Sequence, residues 1–326
     1  MKKNKIGRTI GIVLLVLVVL CGVAFAYIML ALPNIPAPEM KVANDTAKVA
    51  HGRYLAMHVA VCVDCHSTRD WNHFSGPVLV GTEGRGGERF DQTMGFPGVF
   101  YAKNITPYNL EKWSDGEIYR AITSGVTKNR GIIFPVMPYL NYGKLATEDI
   151  QDIIAYVRTM TPVNFDVPSS KADFPMNIIL HMIPEKPQPA QRPSPTDSVN
   201  YGKYLVTAGA CFDCHTPFEN GKYIESMSFA GGREFPFPSG IVRSANITPD
   251  KNTGIGTYTS STFLSRFKAY DPSVNQLAET GKKDFNSIMP WSMYAGMKES
   301  DLRSIFAYLS TIRPIQNQVV KFTPVQ

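Results

Sequence analysis

Cys62-Val63-Asp64-Cys65-His66 and Cys211-Phe212-Asp213-Cys214-His215 are the two stretches that decide how this chain is read. Working outward, Gly52-Arg53-Tyr54-Leu55 precedes the first as Gly202-Lys203-Tyr204-Leu205 precedes the second. Asn104-Ile105-Thr106-Pro107 returns as Asn246-Ile247-Thr248-Pro249, and Met137-Pro138-Tyr139 as Met289-Pro290-Trp291. From that methionine the halves align without a gap at an offset of 152, pairing Tyr142 with Tyr294, Asp149 with Asp301 and Pro162 with Pro314. Repetition this regular predicts two copies of one unit, over 44–162 and 198–314.

Each copy predicts a similar run of elements. Residues 46–61 and 198–210 read as helices leading into the cysteines. Ile150, Ile153, Ile154 and Val157 share one helical face. Thr147 is the expected N-cap, with Glu148 and Asp149 in the first turn, and Pro162 ends the run. The Gly- and Pro-rich loops 75–99 and 228–240 need something to pack against. In the linker 163–197, the apolar segment from Phe174 to Leu180 is expected to pack between the copies. Residues 184–195 hold five prolines and should be extended.

Cys-x-x-Cys-His is the attachment signature of c-type haem: two thiols add to the vinyl groups of one porphyrin, and the histidine faces the iron. Cys62 and Cys65 with His66, and Cys211 and Cys214 with His215, are the expected sites of two covalently bound haem c groups. A shared four-cysteine zinc site and a redox dithiol use the same cysteine spacing. Neither calls for a histidine after both pairs. Met137 and Met289, 71 and 74 residues beyond their histidines in matching Met-Pro-aromatic contexts, are the expected sixth ligands. Met/His ligation raises the reduction potential and fills both axial positions, which disfavours a peroxidase. Met94, Met227, Met293 and Met297 have no symmetric placement. His51, His58, His73 and His181 have no counterparts in the other half and read as surface or packing residues. The duplicated Asn-Ile-Thr loops fit glycosylation sequons, but their duplication points to a haem-pocket loop.

The compartment follows from the N-terminus. Ile10 to Leu32 is a run of 23 uncharged residues, long enough to cross a bilayer core of about 30 Å. Lys2, Lys3, Lys5 and Arg8 precede it, which places the remainder outside the cytoplasm. The rival is a signal peptide cleaved after Ala24-Phe25-Ala26, but the apolar run continues past that point. Residues 1–32 are therefore expected to be a retained single-pass anchor in the inner membrane, with Cys21 buried in it, 33–43 a stiff stalk, and 315–326 a tail. Those four cations account for most of the net charge of +6, so no nucleic-acid surface is expected. A composition 44% hydrophobic and 18% charged suits ordinary folded protein.

Asn246-Ile247-Thr248-Pro249-Asp250-Lys251, Thr253-Gly254-Ile255-Gly256, Met289-Pro290 and Ala307-Tyr308-Leu309 resemble the cytochrome c subunits of bacterial membrane-bound alcohol, aldehyde and gluconate dehydrogenases. The resemblance covers nearly everything after Asn44. It implies a mostly α fold: two tandem cytochrome c domains after one N-terminal transmembrane helix. It also implies an electron carrier rather than an enzyme, taking electrons from a dehydrogenase partner and passing them to quinone or another carrier. A quinol-oxidising complex or a terminal oxidase is a further expected partner. The family usually carries three haem domains, where this chain has two motifs.

Overall fold

A computed structural model describes residues 2–281 and 283–325. Among them one helix, α1 (Lys2–Ala31), is long and apolar enough to cross a membrane. Its side chains from Lys5 through Ala26 are exposed, as befits a lipid-facing helix or a signal sequence. Taken with α1, the regular structure is mostly helical, with short strands between the helices.

In the first half, α2 (Thr46–Tyr54) and a π-helical turn over Leu55–Val59 lead into α3 (Cys62–Cys65). Strands β1 (Arg89–Phe90) and β2 (Gly98–Tyr101) follow, then α4 (Pro107–Leu110), α5 (Asp115–Ser124), α6 (Tyr139–Tyr142) and α7 (Thr147–Thr159). Between the halves lie β3 (Lys171–Ala172) and α8 (Met176–Ile179). The second half runs α9 (Ser198–Ala208), α10 (Cys211–His215), β4 (Phe218–Glu219), β5 (Lys222–Tyr223), β6 (Glu234–Phe237), β7 (Gly240–Arg243), α11 (Ser260–Lys268), α12 (Trp291–Tyr294), α13 (Glu299–Leu309) and β8 (Phe322–Pro324).

The sequence explains the main helices. Ser114 and Glu117 form a reciprocal capping box on α5, which ends in left-handed Gly125. Helix α7 buries Ile150, Ile153, Ile154 and Val157 on one face. Thr147 is its first helical residue, not its cap. The cap position is Ala146, which has no side-chain acceptor to offer; its own backbone N–H donates to the Tyr204 hydroxyl. Helix α2 packs on α7, and α9 on α13, each through a glycine. A Cβ on Gly52 would overlap the carbonyl of Asp152, and one on Gly202 the carbonyl of Ser304.

The sheets repeat as well. β1-β2-β3 is antiparallel with Gly98 opposite Ala172, and β6-β7-β8 with Gly240 opposite Pro324. In both, the third strand comes from chain beyond the long helix. One continuous apolar core joins the halves, holding Leu55, Val59, Ile150 and Ile154 together with Leu205, Phe263, Leu302 and Ile305.

Two expectations about connecting segments are corrected. Residues 33–38 do not stand off as a stalk. Pro33 is buried, Arg130 donates to its carbonyl (3.2 Å), and Arg120 donates to the carbonyl of Ile35 (3.3 Å). Buried Arg120 and exposed Arg130 thus hold the segment against the first half. The segment from Phe174 to Leu180 does not pack between the halves. Leu180 enters a second, small core with Phe90 and Phe100, flanked by Cys65, Phe134 and Met176, while Phe174 is 81% exposed.

Candidate haem sites

Each Cys-x-x-Cys turn starts from a strained residue. Val61 (φ 45°) and Ala210 (φ 50°) are left-handed, a conformation costing about 1–3 kcal/mol for a side chain of this kind. The strain reverses the incoming helix into one short turn carrying both thiols. None of the four thiols is in a disulfide. Burial pushes the Cys62 and Cys211 thiols up to about 12 and raises that of Cys65, while Cys214 is the exposed one of the four. Among the described residues they do not gather into one ligand set, as a four-cysteine zinc site requires.

Both histidines are oriented alike. His66 Nδ1 lies 2.6 Å from the carbonyl oxygen of Lys103, and His215 Nδ1 lies 2.7 Å from that of Ala245. A carbonyl only accepts, so the proton sits on Nδ1 and the Nε2 lone pair is left free to ligate. Burial lowers both imidazoles below their ordinary value, which keeps them neutral. Sequence reading found the histidines but not the carbonyls that aim them. The signal was present, since Lys103 and Ala245 stand immediately before the duplicated Asn-Ile-Thr.

That loop is fixed by its asparagine. Asn104 Oδ1 accepts from the N–H (2.9 Å) and hydroxyl (2.7 Å) of Thr106, and Asn246 does the same for Thr248 at the same distances. Their amide nitrogens donate to the carbonyls of Val163 and Ile315. Both asparagines are buried and committed to these internal bonds, which removes them as glycan acceptors. Gly86 and Gly231 complete the loop. Their N–H groups donate to the carbonyls of His66 (2.9 Å) and His215 (2.8 Å). Both have positive φ (74° and 72°), and a Cβ there would overlap the backbone at 103–104 or 245–246. Only glycine fits between histidine and loop.

Met137 and Met289 are half-buried and pack against the shared core, as do Cys62 and Cys211. Each is followed by a proline and one helical turn, with the N–H of Tyr139 or Trp291 donating back to the methionine carbonyl (2.8 Å in both). Tyr142, on α6, donates to the carbonyl of Ala60, and Tyr294, on α12, to that of Gly209, tying each methionine loop to its own cysteine turn. Cross-links join the sites. Asn141 donates to Asp213 (2.7 Å), Ser75 to the carbonyl of Met289 (2.6 Å) and His58 to the carbonyl of Met293 (2.8 Å). Met293 and Met297 are core residues. His51 pairs with Asp152, His73 with Asp70, and His181 with the carbonyl of Leu32.

Arg85 was also missed by sequence reading. Its guanidinium stacks on Phe165 at 4.0 Å, and its buried Nε has no partner among the described residues. Asp149, with His51 and Asp152, makes the one compact ligand-like group among the described residues, but Arg192 already neutralises it at 2.6 Å.

Comparison with known proteins bears on this geometry. No model of a protein family matches. The dihaem cytochrome c-type protein of Cereibacter sphaeroides is 30% identical over 318 residues, spanning 93% of this chain and 97% of its own. The cytochrome c subunit of the quinone-dependent alcohol dehydrogenase of Gluconacetobacter polyoxogenes is 26% identical over 290 residues, 83% of this chain. The fructose dehydrogenase cytochrome subunit of Gluconobacter japonicus is 26% identical over 304 residues, 86% of this chain. This chain spans only 57% and 55% of those two subunits. The near end-to-end match to the first protein decides the matter: the chain belongs to the family of c-type cytochromes that includes it and the cytochrome subunits of these dehydrogenases, carriers of electrons rather than catalytic subunits.

Proposed function

We propose that this protein is a membrane-anchored dihaem cytochrome c, passing single electrons from a dehydrogenase to quinone or to another membrane carrier. In this reading 44–162 and 198–314 are two cytochrome c domains, α1 is a retained anchor, and both domains lie on the periplasmic side. Cys62, Cys65, Cys211 and Cys214 hold the two haems covalently. His66 with Met137, and His215 with Met289, would ligate the two irons. The observation that carries the reading is the duplicated aim of the two histidines, each with Nδ1 on a carbonyl and Nε2 free.

The residues fit such a group. Two thiols per turn, outside any disulfide, and a free imidazole nitrogen match the chemistry of attachment, and the orphaned Arg85 Nε suits a propionate. Bound haem supplies a one-electron couple and nothing else is asked of it. The protein's own work is orientation and burial. Lys103 and Ala245 hold the imidazoles, and the Asn-Ile-Thr loops hold those carbonyls. The helices that follow the methionines, α6 and α12, are bonded to the opposite half through Asn141 and His58. Those bridges draw the two sites together, which favours electron exchange between them.

Mass spectrometry of the denatured holoprotein should find two haems per chain; an unmodified polypeptide overturns the reading. Met137→Ala and Met289→Ala should each remove about half of the long-wavelength thioether band of the oxidised protein and lower the potential of one haem only. An unchanged spectrum for either variant removes that methionine from the assignment. An alkaline wash should leave the full-length chain in the membrane fraction.

A further inference from the structure

The segment expected to be hidden between the halves is on the surface, and its position says what covers it. From Phe174 to Met182 the chain carries no Asp, Glu, Lys or Arg. Phe174 is 81% exposed, Met182 51% and Ile179 37%. The same segment is firmly seated from behind, with Leu180 buried and Met176 and Ile183 packed against the Phe90–Phe100 cluster. A rigid backing therefore presents three large apolar side chains outward.

The place is the foot of α1. His181 Nδ1 donates to the carbonyl of Leu32 (3.1 Å), the last residue of the apolar run. Exposed Arg130 donates to the carbonyl of Pro33, one residue further on. Met182 adjoins His181 in sequence and Ile179 lies two residues before it. Phe174 is seven residues away, at most about 25 Å along an extended chain, and the turn of α8 shortens that. The polar interface of a bilayer is roughly 5–8 Å deep on each side of the hydrocarbon. Side chains tethered this closely to the exit point of a membrane helix meet lipid before they meet another protein.

We propose that residues 174–182 form an interfacial foot: Phe174, Ile179 and Met182 insert into the outer leaflet at the headgroup–acyl boundary, with Arg130 at headgroup level. The inference rests on α1 being a retained anchor. Its consequence is that the first half leans on the bilayer by the wall that flanks Cys65, so the protein has a fixed attitude rather than swinging on a stalk.

Full-length holoprotein in phosphatidylcholine–phosphatidylglycerol vesicles, doped with phosphatidylcholine bearing an acyl-chain diazirine, tests this. After photolysis and digestion, peptides holding 174–182 should carry about tenfold more lipid adduct than the peptide holding Val274, which is 77% exposed and outside the segment. The double substitution Phe174→Ser with Met182→Ser should bring the segment close to the Val274 level without changing the haem spectrum. Label on α1 alone overturns the foot and spares the anchor. Label on neither overturns both. A segment unlabelled in vesicles but shielded from hydroxyl-radical footprinting in the native complex assigns it to a protein partner and overturns the lipid assignment.

Discussion

Asp64 and Asp213 occupy the same place, between the cysteines of the two motifs, and are neutralised differently. Asp64 is buried against Arg69 of its own half at 3.1 Å, and burial still pushes its carboxyl up to about 6. Asp213 accepts from Asn141 of the opposite half, and Arg233 donates to its backbone carbonyl. The pattern recurs at the interface. Tyr54 donates to Asp301 (2.7 Å) and accepts from the N–H of Lys298, while Tyr204 donates to Asp149 (2.5 Å) and accepts from the N–H of Ala146. These bonds are reciprocal, but their surroundings are not. Asp149 has His51, Asp152 and Arg192 beside it. Asp301 has Ser300 and the phenol of Tyr201, which burial and then the Asp301 charge push up to about 12. The backbone scheme is held in common and the charges around it are not, so two sites built on one plan sit in different fields.

The largest test of that contrast is the pair Arg69→Met and Asn141→Ala. Removing Arg69 strands a buried carboxylate and two carbonyls, those of Ser75 and Gly76, and should cost about 3–5 kcal/mol. Removing Asn141 deletes one hydrogen bond to Asp213 and should cost about 1–2 kcal/mol. Denaturant titration of the holoprotein checks both, and equal losses would mean that the two aspartates are held equivalently after all.

Next in size are Tyr54→Phe and Tyr204→Phe. Each leaves a buried carboxylate short of a donor and one backbone N–H without its acceptor, at about 1.5–3 kcal/mol. Tyr204→Phe should be the milder, because Arg192 stays on Asp149. A larger loss for Tyr204→Phe would show that the ionic partner contributes nothing there.

The smallest effect is one of pH. Burial raises the Asp149 carboxyl above its ordinary value of 3.8, outweighing the opposing pull of Tyr204, Arg192 and His51, while Asp152 adds to the rise. The folded chain therefore binds more protons than the unfolded one between 3.8 and the raised value. Stability contributed by this group declines as pH rises through that window. Asp149→Asn should flatten the decline, measured as unfolding free energy against pH; Asp301→Asn supplies the comparison.

What the sequence disclosed, it disclosed through repetition and periodicity. The apolar face of α7 was readable from Ile150, Ile153, Ile154 and Val157, and the importance of the Asn-Ile-Thr loop from its second copy. Backbone partners were marked only indirectly, by the duplication beside them. Nothing in the letter for Lys103 or Ala245 announces that its carbonyl aims a histidine, because any residue has a carbonyl. The segment at 174–180 misled for a different reason. Hydropathy says that a stretch avoids water but not whether protein or lipid will cover it. The prolines of 33–38 mark a spacer, while the arginines that bind the segment, Arg120 and Arg130, lie 85 and 97 residues away from the carbonyls they hold.

The reciprocal tyrosine–aspartate bonds have the form of an interface between two identical subunits, in which each contact is made twice with the roles exchanged. Here both subunits are on one polypeptide. The chain between them then need not hold the halves together. Its thermodynamic part is to raise their effective concentration for one another, turning an association into an internal docking step. A chain nicked in the exposed stretch 194–196 would still have the shared core and both tyrosine–aspartate bonds to keep its pieces paired. The two cysteine–histidine sites would thereby become an obligate couple by packing rather than by covalent connection.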